Sequence, residues 1–254
     1  MSLRKYLVGG NWKSNGSMAF AKSFTNDVLN KLAFDPKNVD VVVSPTNLHL
    51  PAVQANIGNN VNIATQNISL TGPGAFTGEV SACMAQDAGI RYTLTGHSER
   101  RSLFGESDAD VATKTKNGLM FDMTVLLCIG EQLAEREGGV TNDVNARQLA
   151  AVREQVDDWS NIVIAYEPVW AIGTGKVATP EVAQETHAAI REWLAANVSK
   201  EAADGTRILY GGSVSDANAA ELITQPDIDG FLVGGASLKP AFHQIVAACN
   251  EHKA

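Results

Sequence analysis

Short apolar runs rich in β-branched residues recur along the chain at residues 6–8, 40–43, 61–64, 92–95, 124–129, 162–165, 207–210 and 230–233. Each is nearly continuous in its apolar character rather than alternating, which is the pattern of parallel strands covered on both faces. Between them lie longer stretches in which apolar positions return every three or four residues: 18–32, 81–88, 109–120, 144–156, 180–196, 216–223 and 237–249. That spacing predicts helices with one buried stripe. Thr179 before Pro180 reads as an N-cap with proline in the first turn, and Ser215 before Asp216 reads as a second cap. Strand and helix alternate throughout, so the fold class expected is α/β. Eight such units in roughly 250 residues fit a closed (β/α)8 barrel, a TIM barrel, better than an open doubly wound sheet, although counting alone leaves the open sheet possible. A barrel would place functional side chains just after the strands.

Composition narrows the class. With 254 residues, 44% of them hydrophobic, the chain can bury a large core. No linker, low-complexity block or charge run divides it, so a single domain over 1–254 is expected. The three cysteines, Cys83, Cys128 and Cys249, form no CxxC pair and are odd in number, which suits the reducing cytoplasm. The N-terminal apolar stretch is too short for a signal peptide, and no run approaches the roughly 20 residues that cross a bilayer, so no membrane association is expected. A net charge of -8 argues against nucleic acid as a partner. It leaves room for a small phosphorylated ligand, because a cleft with one lysine and several backbone amides focuses an anion locally.

Candidate chemistry concentrates at the ends of the predicted strands. The sixth run ends in Glu167, followed by Pro168, which stops the strand, and by Gly173 and Gly175, which free the backbone of the next segment. Val169, Trp170, Ala171 and Ile172 are apolar residues in a loop, as expected of a lid that covers something. A carboxylate beside such a lid is a general-base candidate. The other strand ends contribute Asn11 and Lys13, His97 and Glu99, Ser213, and Gly234 with Gly235. Together they supply a base, polar groups and a cation for an oxygen, and amides for a phosphate, which is what proton transfer next to a carbonyl requires. His49, His187, His243 and His252 lack such neighbours and read as packed or surface groups.

The segments Gly10-Asn11-Trp12-Lys13, Gln66-Asn67 with Gly74-Ala75-Phe76-Thr77-Gly78-Glu79, Gly96-His97-Ser98-Glu99-Arg100-Arg101, Tyr166-Glu167-Pro168-Val169-Trp170-Ala171-Ile172-Gly173-Thr174-Gly175, Tyr210-Gly211-Gly212-Ser213 and Gly234-Gly235-Ala236-Ser237-Leu238 occur in this order. Taken together they closely resemble the triosephosphate isomerase family across the whole chain. The resemblance implies an isomerase without cofactor or metal that interconverts D-glyceraldehyde 3-phosphate and dihydroxyacetone phosphate through an enediolate, in glycolysis and gluconeogenesis. It implies Glu167 as the base, His97 as the electrophile, Lys13 and Asn11 as stabilising and substrate-binding groups, and Gly173, Ser213, Gly234 and Gly235 as a phosphate cradle. Glu99 beside Lys13, and Cys128, are implied as supporting residues behind these. The lid would comprise Pro168, Val169, Trp170, Ala171, Ile172, Gly173, Thr174, Gly175 and Lys176. A loop carrying Phe76, Thr77, Gly78 and Glu79 would insert into a second subunit near Asn11 and Lys13, giving a homodimer.

Two expectations about ionisation come from the residues. Shielding from water should raise the pKa of Glu167, and the start of a helix at Ser98 should keep His97 a neutral imidazole. Gly173 to Ala178 also fits a GxGxxG/A dinucleotide fingerprint, but no strand directly precedes it and Pro180 opens a separate helix after it. Ser14 and the Lys176-Val177-Ala178 hinge depart from the family's usual residues without touching a catalytic role. Rival readings are another phosphate-binding barrel, which would not share Asn11, Lys13, His97 and Glu167 together, and a barrel that binds without catalysing.

Overall fold

A computed structural model describes residues 4–171 and 178–253. The lid positions Ile172, Gly173, Thr174, Gly175 and Lys176, and Val177 at the hinge, lie outside the described residues. Eight parallel strands close in chain order: β1 (Tyr6–Asn11), β2 (Val39–Ser44), β3 (Val61–Thr65), β4 (Tyr92–Thr95), β5 (Thr124–Ile129), β6 (Ile162–Tyr166), β7 (Arg207–Tyr210) and β8 (Gly230–Val233), with β8 pairing back onto β1. Four of these spans coincide with the predicted runs, and the other four extend them by one to three residues.

The near-continuous apolar runs arise because both faces of each strand are buried. Leu7, Val42, Leu94, Leu126, Val163, Leu209 and Leu232 fill the barrel interior, while their neighbours Val8, Val41, Leu127, Ile164 and Ile208 pack outward against the helices. Each such side chain contributes about 1.5–3 kcal/mol on burial, so interior and outer layers both hold the closed sheet.

The helices are α1 (Met18–Asp27), α2 (Leu50–Gln54), α3 (Ala82–Asp87), α4 (Ser98–Phe104), α5 (Asp108–Met120), α6 (Leu133–Glu137), α7 (Thr141–Arg153), α8 (Pro180–Asn197), α9 (Lys200–Gly205), α10 (Ala219–Leu222) and α11 (Phe242–Lys253). Thr179 caps α8 as expected, its hydroxyl accepting from Val182 N. The cap expected at Ser215 is different: Asn218 Oδ1 accepts from Ser215 N at 2.8 Å, which closes a turn and delays α10 to Ala219. The helix expected over 237–249 divides into a 3-10 turn, Gly235–Leu238, and α11. Pro240 lies between them, where its missing N–H interrupts a continuous ladder.

Candidate active site

The carboxyl ends of the strands deliver the sequence-predicted residues to one cleft of about 310 Å³, lined by Asn11, Lys13, His97, Glu167, Ser213 and Gly234 among others. Lys13 reaches it through a left-handed backbone, φ 51°, a conformation that costs a non-glycine residue of order 1–3 kcal/mol unless its surroundings impose it. They do so from both sides. Asn11 Oδ1 accepts from Lys13 N at 2.9 Å, and Gln66 Nε2 donates to Lys13 O and to Ser44 O, each at 2.8 Å. With its oxygen so engaged, Asn11 has its amide NH2 left to meet a ligand. Lys13 Nζ stands 2.5 Å from Glu99 Oε1, the pairing expected of these two residues.

Glu167 is buried and satisfied. One carboxylate oxygen accepts from Ser98 N, the first amide of α4, at 2.9 Å, and the other lies 2.9 Å from His97 Nε2. Its pKa is therefore lowered, against expectation: burial raises it, but His97, the Ser98 amide and Lys13 together outweigh burial. His97 is also the N-cap of α4, with Nδ1 accepting from Glu99 N at 3.2 Å, which assigns the imidazole proton to Nε2. Burial lowers its pKa, yet the adjacent Glu167 carboxylate more than compensates and the net direction is upward. The neutral imidazole expected from the helix start alone is thus opposed, in this conformation, by Glu167.

Glycines allow the backbones around Glu167 to close in. A Cβ on Gly130 would stand 1.8 Å from Glu167 O, one on Gly211 would stand 3.0 Å from Glu167 Cγ, and one on Gly212 would meet the Tyr210 hydroxyl at 2.3 Å. Only glycine fits such approaches. Cys128, in the barrel interior, is a packing residue whose thiol is pushed well up by burial and then by Glu167.

Of the residues expected to form a lid, Pro168 follows Glu167 directly, and Val169, Trp170 and Ala171 form a 3-10 turn with Ala171 buried. Ser213 Oγ donates to Ala171 O at 2.6 Å, tying the side of the cleft expected to hold phosphate to that 3-10 turn. The turn is anchored by Glu131, a residue that carries no signal in the sequence patterns above. Its fully buried carboxylate accepts from the Tyr166 hydroxyl at 3.0 Å and from Trp170 Nε1 at 2.9 Å, and its carbonyl accepts from Val169 N at 3.1 Å. Burial raises its pKa despite these bonds. Its one clue is positional: Glu131 stands two residues past the end of β5.

The loop bearing Phe76, Thr77, Gly78 and Glu79 is braced at its base, where Lys114 Nζ donates to Asn67 Oδ1 and Asn117 Nδ2 donates to Leu70 O. Phe76 is 47% exposed. A second cleft of about 470 Å³, lined by Asn11, Lys13, Gln66, His97, Glu99 and Phe104 among others, shares Asn11, Lys13 and His97 with the first.

Known proteins share this arrangement's sequence. The sequence model of the family described as Triosephosphate isomerase matches residues 6–249. The chain is 51% identical over 243 residues to a protein of Oryza sativa subsp. japonica named triosephosphate isomerase, cytosolic, covering 96% of each. It is 53% identical over 247 residues to a triosephosphate isomerase of Coprinopsis cinerea, covering 96% of this chain and 98% of that protein.

Proposed function

The chain belongs to the triosephosphate isomerase family, and from that premise we propose which of its residues carry the reaction and how. The activity is the aldose–ketose isomerisation of D-glyceraldehyde 3-phosphate and dihydroxyacetone phosphate in glycolysis and gluconeogenesis. Glu167 takes a proton from the carbon beside the carbonyl and returns it to the neighbouring carbon. To do so its carboxylate leaves Ser98 N and His97 Nε2 and turns toward the substrate. That exchange frees the Nε2–H of His97 for the substrate oxygens, between which it moves the second proton. It also removes the carboxylate that raises the His97 pKa most, leaving burial, the largest influence, and Lys13 opposed by Glu99 alone, which favours the neutral imidazole.

As the enediolate forms, negative charge develops on the oxygen facing Lys13 and the Asn11 amide, where a fixed cation and a preset donor stabilise it with little reorganisation. Ser213, Gly234 and Gly235 hold the phosphate, helped by amides at the start of the Gly235–Leu238 turn. Gly173 belongs to this cradle and residues 168–176 to the lid, by the family resemblance. Glu99 steadies Lys13. The substrate-bearing cleft joins the opening beside Phe104 through Asn11, Lys13 and His97, which supports a homodimer in which a partner's Phe76 loop completes the site. A cytoplasmic setting is supported by the name of the rice relative and by cysteines that are free thiols. No helix among the described residues is long and apolar enough to cross a membrane.

The observation that carries this reading is Glu167 buried between His97 Nε2 and Ser98 N at the edge of a cleft that also holds Lys13 and Gly234. Glu167→Gln should lower turnover in a coupled assay with D-glyceraldehyde 3-phosphate by about 10²–10⁴-fold, the usual worth of a positioned base. Unchanged turnover in a folded variant would remove Glu167 from the role of base.

A further inference from the structure

We propose that Gln148, on α7 and outside the catalytic cleft, is the positioning residue that fixes Glu167 through the backbone of Gly130. The side chain is buried, and its carboxamide grips one residue from both sides: Gly130 N donates to Gln148 Oε1 at 2.8 Å, and Gln148 Nε2 donates to Gly130 O at 3.2 Å. A carboxamide is the one neutral side chain that offers a donor and an acceptor at this spacing, so it acts as a neighbouring strand would at the point where β5 ends.

Gly130 touches Glu167 through the backbone, since a Cβ on Gly130 would fall 1.8 Å from Glu167 O. Glu167 N in turn donates to Ile129 O at 2.7 Å. Moving the Gly130 peptide therefore moves the root of the Glu167 side chain. The space behind Glu167 is a cleft rather than a packed wall that could do this work: it measures about 390 Å³ and is lined by Ser98, Arg101, Gly130, Gln148, Glu167 and Val169 among others. The grip of Gln148 is held by α7 itself, whose Val144, Leu149 and Val152 are buried, with Leu149 and Val152 packed into the core, so it stays in place whatever the lid does.

The inference rests on Glu167 being the base, and the test separates the two. Gln148→Met keeps length and helix propensity but removes both bonds, and Gln148→Asn keeps polarity but is too short to make both. Each is compared with the parent and with Glu167→Gln for kcat, KM, and binding of two ligands: phosphoglycolate, whose carboxylate mimics the enediolate, and sn-glycerol 3-phosphate, which offers a phosphate and hydroxyls but no planar charged oxygens. A base displaced by about 1 Å costs roughly 10²-fold. Gln148→Met should accordingly lose roughly 10–10² in kcat with KM changed by less than about threefold, and should weaken phosphoglycolate by a similar factor while leaving sn-glycerol 3-phosphate unaffected. Gln148→Asn should fall between. A folded Gln148→Met with parental kcat, or equal weakening of both ligands, overturns the inference. So does failure of both variants to fold, which would make Gln148 a residue of general stability. Full activity of Glu167→Gln would instead overturn the reading on which the inference rests.

Discussion

His97 and Glu167 set each other's charge, and the consequence is measurable without substrate. His97 binds a proton more readily in the folded chain than its ordinary pKa of 6.5 allows. Its contribution to stability is therefore fully present below 6.5 and is lost as the pH rises through the higher folded value. Glu167 is lowered from an ordinary 4.5, so its contribution is present above 4.5 and is lost as the pH falls through the lower folded value. Their mutual stabilisation is thus greatest between about 4.5 and 6.5. The difference in melting temperature between parent and Glu167→Gln should peak in that window and shrink on either side. In the same variant the His97 ring titration, followed by NMR, should move to lower pH. A stability difference that is flat with pH, or a His97 midpoint that does not move, would mean that the pair is not coupled. In the proposed mechanism, turning Glu167 toward substrate would lower the His97 pKa at the moment a neutral imidazole is needed.

At the scale of elements, the ends of the strands matter more than their middles. Gly130 directly follows β5, its backbone meets that of Glu167, which directly follows β6, and no Cβ fits between them. Gly130→Ala must push the two strand ends apart, so turnover should fall by at least about 10²-fold, while the loss of stability stays near the roughly 1–3 kcal/mol typical of overpacking. Steady-state kinetics beside urea denaturation would check this. Parental kcat in the alanine variant would show that Glu167 tolerates a displaced neighbour. The strands were legible in the sequence because burial on both faces leaves an uninterrupted apolar run, and the meeting of Asn11, Lys13, His97 and Glu167 in one cleft was legible because a barrel gathers the residues that follow those runs at one end. Of the short helices, α3 was legible, whereas α6 and α9 were not: α6 buries none of its residues and α9 buries Ala203 alone, which leaves no apolar stripe to register. Glu131 and Gln148 were missed for a different reason. Glu131 acts on Tyr166 and Trp170, 35 and 39 positions away, and Gln148 acts on backbone groups, so neither leaves a local pattern.

The whole molecule has a structural pole and a chemical pole. β7 and β8 pair through Tyr210, the last residue of β7, and Phe231, and at the start of the strands Asp229 closes the seam: Asp229 N donates to Ile208 O, Ile208 N to Asp229 Oδ2, and Leu7 N to Asp229 O. Arg4 and Arg191 meet the same carboxylate. With the barrel closed there, the other end can spend its backbone on glycine contacts, a strained Lys13 and open clefts. One of those clefts reaches Asn11, Lys13 and His97 from the side opposite Ser213. Around it stand apolar residues that water does not favour, Leu48 at 84% exposed and Phe104 at 67%, and the braced loop nearby presents Phe76. These surfaces are what the proposed homodimer would bring together, with the loop of each chain seated in the cleft of the other. Placing a charge at the loop tip would leave it desolvated at the centre of such a contact. Phe76→Asp should therefore run as one chain in sedimentation equilibrium at micromolar concentration, whereas the parent runs as two. If the partner loop is what steadies Lys13 and His97, turnover should fall with the mass. A parent that sediments as a single chain would overturn the dimer, and a monomeric variant with parental kcat would show that each barrel holds its site unaided.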